Sequence, residues 1–263
     1  MNDIKLFFMN YLRRLKEVGL NFRNLMNIQK FFLYKKQMKQ WVDGGGKVSK
    51  KYVVLYDFNC NSGISKGQYF HQDLLVAGYI FKNNPKRHVD VGSRVDGFVA
   101  HVASFRKIEV LDIRPQPESS HKNIQYKKAD LMTSQNIEKT DSISCLHAIE
   151  HFGMGRYGDK IDVEGHIKGI NNLVNLVREG GVLYISFPIG IADQVHFNAH
   201  RVFHPHTILS VNSIAQEMVL IRFDYVDDNG DLHQDVSIDD LIDTVRYGCG
   251  IYTFKKIFTN LNT

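Results

Sequence analysis

The stretch His88-Val89-Asp90-Val91-Gly92-Ser93-Arg94-Val95-Asp96-Gly97 decides how this chain is read. A short β-rich run, 87–91, ends next to an acid, turns through a glycine and leads into a helical window at 98–106. Glycine lets backbone N–H groups come close to a ligand because it carries no side chain, so the turn reads as a nucleotide cradle. Further strands are expected at 108–113, 124–127, 141–146 and 182–187. A helix is expected over 163–178, stopped by Glu179-Gly180-Gly181. Two later β-rich runs, 218–226 and 250–257, suit an antiparallel pair, which brings the count to seven strands. Strands alternating with helices on this scale form a mostly parallel sheet covered on both faces. Ligands of such sheets bind beyond the carboxyl ends of the strands.

The residues at those ends carry the next inferences. Asp112 closes the second strand, 22 residues after Asp90, where a carboxylate can accept both hydroxyls of a ribose. Ala129-Asp130-Leu131 follows the third strand, and a short acid with an apolar neighbour can frame an adenine. Taken singly, a glycine turn is a common strand-to-helix connection and an Asp after a strand is a common helix cap. In this order, on successive strands, they support one another.

Asp90-Val91-Gly92-Ser93, Asp112, Ala129-Asp130-Leu131, the run Leu146-His147-Ala148-Ile149-Glu150-His151 and Arg178-Glu179-Gly180-Gly181-Val182-Leu183 together resemble class I S-adenosylmethionine-dependent methyltransferases, over roughly residues 65–257. Those enzymes typically place Gly two, four and six positions after the first acid. This chain keeps Gly92, has Arg94 and Asp96 at the next two places, and brings Gly97 one position late. Within the superfamily, Tyr69-Phe70-His71-Gln72-Asp73, the run from Glu150 to Asp159 (Glu-His-Phe-Gly-Met-Gly-Arg-Tyr-Gly-Asp) and Phe197-Asn198-Ala199-His200-Arg201 resemble a domain-of-unknown-function family, number 268. Some of its relatives occur with surface-polysaccharide biosynthesis genes, an association that carries no chemistry by itself.

The resemblance implies an α/β Rossmann-like methyltransferase fold with S-adenosyl-L-methionine as cofactor. Asp90, Gly92 and Ser93 would hold the methionine end, Asp112 the ribose, Asp130 and Leu131 the adenine, and His147 and Asp73 further contacts. Methyl transfer needs a positioned, desolvated nucleophile and, for a hydroxyl, a base. His151 and His200 are the candidates, since histidine titrates near neutrality. Arg156, Tyr157, Asp159, Asn198 and Arg201 would supply a polar rim suited to sugars or acidic groups. The acceptor implied is a glycan sugar or its nucleotide- or lipid-linked precursor. Phe152, Met154 and Phe187 read as packing groups, and Arg94 has a structural alternative as an ion-pair partner of Asp96 or Asp112.

Charge divides the chain. Residues 1–51 hold 12 Lys/Arg and three acids, a net +9, while the remaining 212 residues carry −4. Leu6, Phe7, Leu15, Val18, Leu25, Met26, Phe32 and Trp41 recur there at near-helical spacing, which predicts a basic amphipathic extension ahead of a main domain at 52–263. Packing onto the main domain or a partner ranks first for it, docking on a membrane surface second and nucleic-acid binding last, since the rest of the chain is mildly acidic. Cys60, Cys145 and Cys249 show neither disulfide-framework nor zinc spacing, and the histidines at 147, 151, 196, 200, 204 and 206 lack a matching acid set, so no metal is expected. The longest apolar run, 74–81, falls far short of the roughly 20 residues a spanning helix needs, and Arg13 and Arg14 interrupt any export signal. A cytoplasmic protein is expected, with the inner membrane face as a possible docking surface. The alternative function is a non-catalytic or differently catalytic scaffold of the same fold. A nicotinamide oxidoreductase is disfavoured because GxGxxG does not follow the first strand.

Overall fold

The computed structural model describes residues 28–57, 61–133, 136–241 and 245–258. The chain divides into two compact units between residues 64 and 65. In the first, helix α1 (Ile28–Asp43) places Phe31, Tyr34 and Met38 half-buried at helical spacing among exposed lysines. Gly45 ends it at φ +86, and the Trp41 indole N–H donates to the Lys47 carbonyl at 3.3 Å. The expected helical spacing before Ile28, and Cys60, lie outside the described residues.

The second unit is built on a twisted α/β sheet. Helix α2 (Gln68–Asn83) buries Gln72, Asp73, Val76, Ala77 and Ile80, the i, i+4, i+8 face of its sequence. Strand β1 (His88–Val91) follows, then a π-turn over Val95–Val99 continuing into the short helix α3 (Ala100–Ala103). Strands β2 (Ile108–Asp112), β3 (Ile124–Lys128) and β4 (Thr140–Leu146) come next, then helix α4 (Gly165–Leu176) and strand β5 (Val177–Ile189). A ribbon of β6 (Gln194–His196) and β7 (His200–Val202), helix α5 (Asn212–Glu217), β8 (Met218–Val226), β9 (Leu232–His233) and β10 (Gly248–Lys256) complete it.

The main sheet has eight strands in the order β3-β2-β1-β4-β5-β10-β8-β9. The first five are parallel, and β10, β8 and β9 are antiparallel additions. Seven strands were expected. The eighth, β9, is two residues long and pairs Tyr225 with His233 and Val226 with Leu232, too short to leave a period-two pattern. Glu179-Gly180-Gly181 does not end a helix either. It lies inside β5, where Gly180 takes φ +74 and the register against β4 slips. Helices cover both faces, as expected. Val89, Val91, Leu111, Ile143 and Cys145 face the core that takes Ile170 and Leu173 of α4. Ile108, Val110, Leu146 and Tyr184 face the one that takes Val76 and Ile80 of α2 with Phe98 and Val102.

Strand order reverses beside β1, whose neighbours are β2 and β4. At that switch point Asp90, fully buried, accepts hydrogen bonds from the hydroxyls of Ser93 and Ser144, each at 2.6 Å, and from the Ser93 N–H at 3.1 Å. The Leu146 N–H donates in turn to the Ser93 oxygen at 3.1 Å, which fastens the turn after β1 to the end of β4. His88 lies behind, between Ser142 (2.8 Å) and Ser144 (3.2 Å), and burial with Arg106 nearby holds its pKa down to about 3. Since Ser144 gives its proton to Asp90, neutral His88 donates from Nε2 and accepts at Nδ1.

Burial pushes the Asp90 pKa up to about 6, against the hydrogen bonds that favour its charged form. The native state therefore holds this proton more tightly than the unfolded chain. The associated stability is fully present below the unfolded value of 3.8 and is lost as pH rises through about 6. Ser144→Ala removes a donor to the charged form, so it should cost about 1–3 kcal/mol above pH 6 and less at pH 4–5. Urea unfolding at both pH values measures this, and an equal cost at the two would contradict the assignment.

Candidate functional site

Two adjoining cavities open at the switch point. The narrow one, about 80 Å³, is lined by Val91, Gly92, Leu111, Asp112, Ile113, Arg114, Ala129, Asp130, Leu131, Met132, Ala148 and Phe152, with His147, His151, Tyr157 and Asp159 at its edge. The wide one, about 620 Å³, shares Gly92, Arg114, His147, His151 and Tyr157 and extends over Tyr69, Ser93, Arg94, Glu150, Arg156, His200 and Tyr247. Both sit at the carboxyl ends of β1, β2 and β4, where the alternating pattern locates a ligand.

The narrow cavity is a largely apolar shelf with the Asp112 carboxylate at the tip of β2. Gly92 takes φ +70, and a Cβ there would lie 3.0 Å from the Ala148 methyl, so the turn must keep a bare backbone. Ala129 and Leu131 are buried, and Asp130 accepts from the Met132 N–H at 2.9 Å in an Asx turn that shapes the shelf. Asp112 accepts from the Arg114 backbone N–H (2.8 Å), its Nε (2.9 Å) and its Nη2 (2.6 Å). A carboxylate has about four acceptor directions, so roughly one remains for a ligand hydroxyl. A flat apolar surface, a close-approach glycine and an acceptor at the tip of β2 fit a nucleoside.

The wide cavity holds opposed proton chemistry. His147 follows β4 at φ +48, a left-handed backbone rarely taken by a residue with a side chain. Its Nδ1 lies 2.9 Å from Glu150 Oε1, and the Tyr69 ring lies 4.8 Å from its own. Burial works against its protonation, but Cys249 and Glu150 outweigh it and hold the His147 pKa well above the usual imidazole value. Buried His147 Nε2 and Glu150 Oε2 have no partner among the described residues. His151 is the reverse. Burial holds its pKa below the ordinary value, with Glu150 and the Ala199 carbonyl pulling the other way. Its Nδ1 sits 2.7 Å from that carbonyl, which only accepts, so Nδ1 carries the proton and Nε2 is a free base, 3.7 Å from Glu150 Oε1. His200 is also held low, by burial and then by His196, and its Nε2 meets the Tyr247 hydroxyl at 3.1 Å.

Gly92, Ser93, Asp112, Asp130, Leu131, His147, His151, Arg156, Tyr157, Asp159 and His200 line one cavity or both. Asp73, Asp90, Asn198 and Arg201 line neither. Asp90 braces the turn from behind. Asp73 is buried on α2, hydrogen-bonded to Gln72 (3.1 Å) and packed on Gly97. Arg201 is buried and donates to the carbonyls of Phe152 (2.7 Å), Glu150 (3.3 Å) and Val163 (3.4 Å), holding the loop that carries the rim. Asn198 is exposed between β6 and β7. Arg94 pairs with Asp96 at 3.1 Å. Sequence reasoning missed Glu150, Arg114, Tyr69 and Tyr247. Glu150 stood between two chosen histidines and Arg114 two residues after Asp112. Tyr247 left no local signal, since only the antiparallel return of β10 brings it here. Among the described residues no three His, Cys, Asp or Glu side chains converge as a metal site, and no helix is long and apolar enough to cross a membrane.

Glu150 raises the proton affinity of both neighbouring histidines. Glu150→Gln should therefore move the imidazole titrations of His147 and His151, followed by NMR, to lower pH. Unmoved midpoints would remove Glu150 from the centre of this network.

The fold is that of class I methyltransferases. A structure of an S-adenosylmethionine-dependent methyltransferase from Clostridium acetobutylicum superposes with a TM-score of 0.50 at 13% identity, over 77% of this chain and 96% of that one. The [4+2]-cyclase SpnF superposes with a TM-score of 0.51 at 11% identity, over 85% of this chain and 96% of that one. No curated protein matches the sequence. The profile of a family described as "Caenorhabditis protein of unknown function, DUF268" matches residues 99–240, more than half of the chain, and the protein belongs to that family.

Proposed function

We propose that the protein is an S-adenosylmethionine-dependent methyltransferase that O-methylates a sugar of a surface glycan or of its precursor. The observation that carries the reading is Asp112 at the tip of β2, facing the narrow cavity beside the bare Gly92 turn and the Ala129–Leu131 shelf. A nucleoside fits there with its base on the shelf and a ribose hydroxyl on the remaining acceptor position of Asp112. When bound, S-adenosylmethionine supplies an electrophilic methyl group on a sulfonium. The chain's own residues position the acceptor, exclude water and take its proton. His151 is the better base of the two histidines, because its Nε2 is unprotonated and open while His200 Nε2 is engaged by Tyr247. Glu150 beside Nε2 stabilises the imidazolium once the proton has arrived. The polar rim of Arg156, Tyr157 and Asp159 supports a hydroxyl-rich acceptor.

A second reading, a non-catalytic or differently catalytic protein of the same fold, is favoured by one observation: Arg114 already occupies most of the Asp112 carboxylate. SpnF, a cyclase by its description, illustrates that this fold hosts other chemistry. Calorimetric titration with S-adenosylhomocysteine separates the readings. Saturable binding is expected, and Asp112→Ala should weaken it by about 1.5–3 kcal/mol, the worth of a charge-assisted hydrogen bond. Absent binding supports the second reading, and an affinity indifferent to Asp112→Ala removes Asp112 from the site.

A further inference from the structure

The charge of the wide cavity exceeds what a nucleoside and a sugar hydroxyl need. Three guanidinium groups line it, those of Arg94, Arg114 and Arg156, against the single carboxylate of Glu150. Two of the three are matched by acids, Arg94 by Asp96 at 3.1 Å and Arg114 by Asp112 at 2.6 Å. Arg156 is not: it donates to the Ala199 carbonyl at 2.8 Å, and among the described residues it forms no ion pair. Its guanidinium lies over the Tyr157 ring, 5.2 Å from the centroid, and that of Arg114 lies over the same ring at 4.6 Å. One aromatic side chain thus steadies two cations at the junction of the two cavities, lowering the entropy lost when either takes a ligand.

We propose that Arg156, with Arg114 beside it over Tyr157, forms a subsite for a phosphoryl group carried by the acceptor. The proposal rests on the reading of the wide cavity as the acceptor's end of the site. An uncompensated cation in a concave wall concentrates anions, and the planar fork of arginine matches two oxygens of a phosphoryl group. A second guanidinium close by suits a dianion better than a single carboxylate. This narrows the acceptor to a phosphorylated sugar or a sugar joined to a diphosphate, and places the reaction before the sugar is transferred out of its activated form.

The test is calorimetric titration of the full chain with inorganic pyrophosphate, and separately with S-adenosylhomocysteine. Saturable pyrophosphate binding is expected, weakened about tenfold or more by Arg156→Gln, which keeps a donor for the Ala199 carbonyl. Arg156→Lys, which keeps the charge and loses the fork, should fall between the two and covers the case in which the Gln variant does not fold. Affinity for S-adenosylhomocysteine should stay within about twofold in both variants, since a bound nucleoside sits at Asp112 and not at Arg156. No pyrophosphate binding by the unmodified chain, or binding indifferent to Arg156, overturns the proposal. Equal losses for the two ligands assign Arg156 to the carboxylate end of the nucleoside ligand and overturn it as well. Arg156-dependent pyrophosphate binding without any S-adenosylhomocysteine binding would leave the subsite standing while the methyltransferase reading fails.

Discussion

A buried carboxylate at the end of the central strand organises this protein. Asp90 gathers three donors from Ser93 and Ser144, and Ser93 passes the connection on to the backbone of Leu146. These bonds tie the turn after β1 to the end of β4 across the point where strand order reverses. Everything else in the site follows from that fastening. Gly92 is presented bare toward the narrow cavity, and the chain leaving β4 is set so that His147, Glu150 and His151 enter the wide one. Removing a charged side chain from water costs several kcal/mol unless its hydrogen bonds are satisfied, so the serines are as necessary to the turn as the acid itself.

The site assembled there is asymmetric by construction. Its narrow part is a largely apolar shelf with the Asp112 carboxylate at the tip of β2, an environment that suits a nucleoside. The wide part carries two histidines held in opposite directions: Glu150 raises the proton affinity of both, but burial prevails at His151 and leaves it toward its free base, while His147 is held toward its cation. Neighbouring groups pushed apart in this way suit the base role proposed for His151. The left-handed backbone at His147 fits the same picture, because such conformations persist where surrounding contacts over-determine them, and those places are often functional.

Much of this architecture was legible in the sequence. The alternation of short β-rich runs with helical windows fixes a parallel sheet, and the acids at 112 and 130 sit where strand ends place them. Side-chain direction was not legible. Asp90 stands at a strand end like Asp112, yet alternation turns it behind the turn, and one of the two hydroxyls that claim it, that of Ser144, comes from β4, some fifty residues away. Arg201 looks like a ligand-binding cation until its guanidinium is seen bound to three carbonyls of a single loop. Glu179-Gly180-Gly181 has the composition of a helix stop and instead makes an irregular start to β5, because pairing with β4 overrides the local preference. Tyr247 and the pairing of β9 depend on long-range strand returns that no local window records.

The central claim is that a sulfonium nucleoside lies across the tips of β1, β2 and β3, and a crystal structure of the chain with S-adenosylhomocysteine tests it most directly. The account predicts the adenine against Ala129 and Leu131, a ribose hydroxyl on Asp112 with Arg114 still at its side, and the sulfur end running past Gly92 toward His147. Density for the nucleoside elsewhere, or no ribose hydroxyl on Asp112 under saturating ligand, would contradict it.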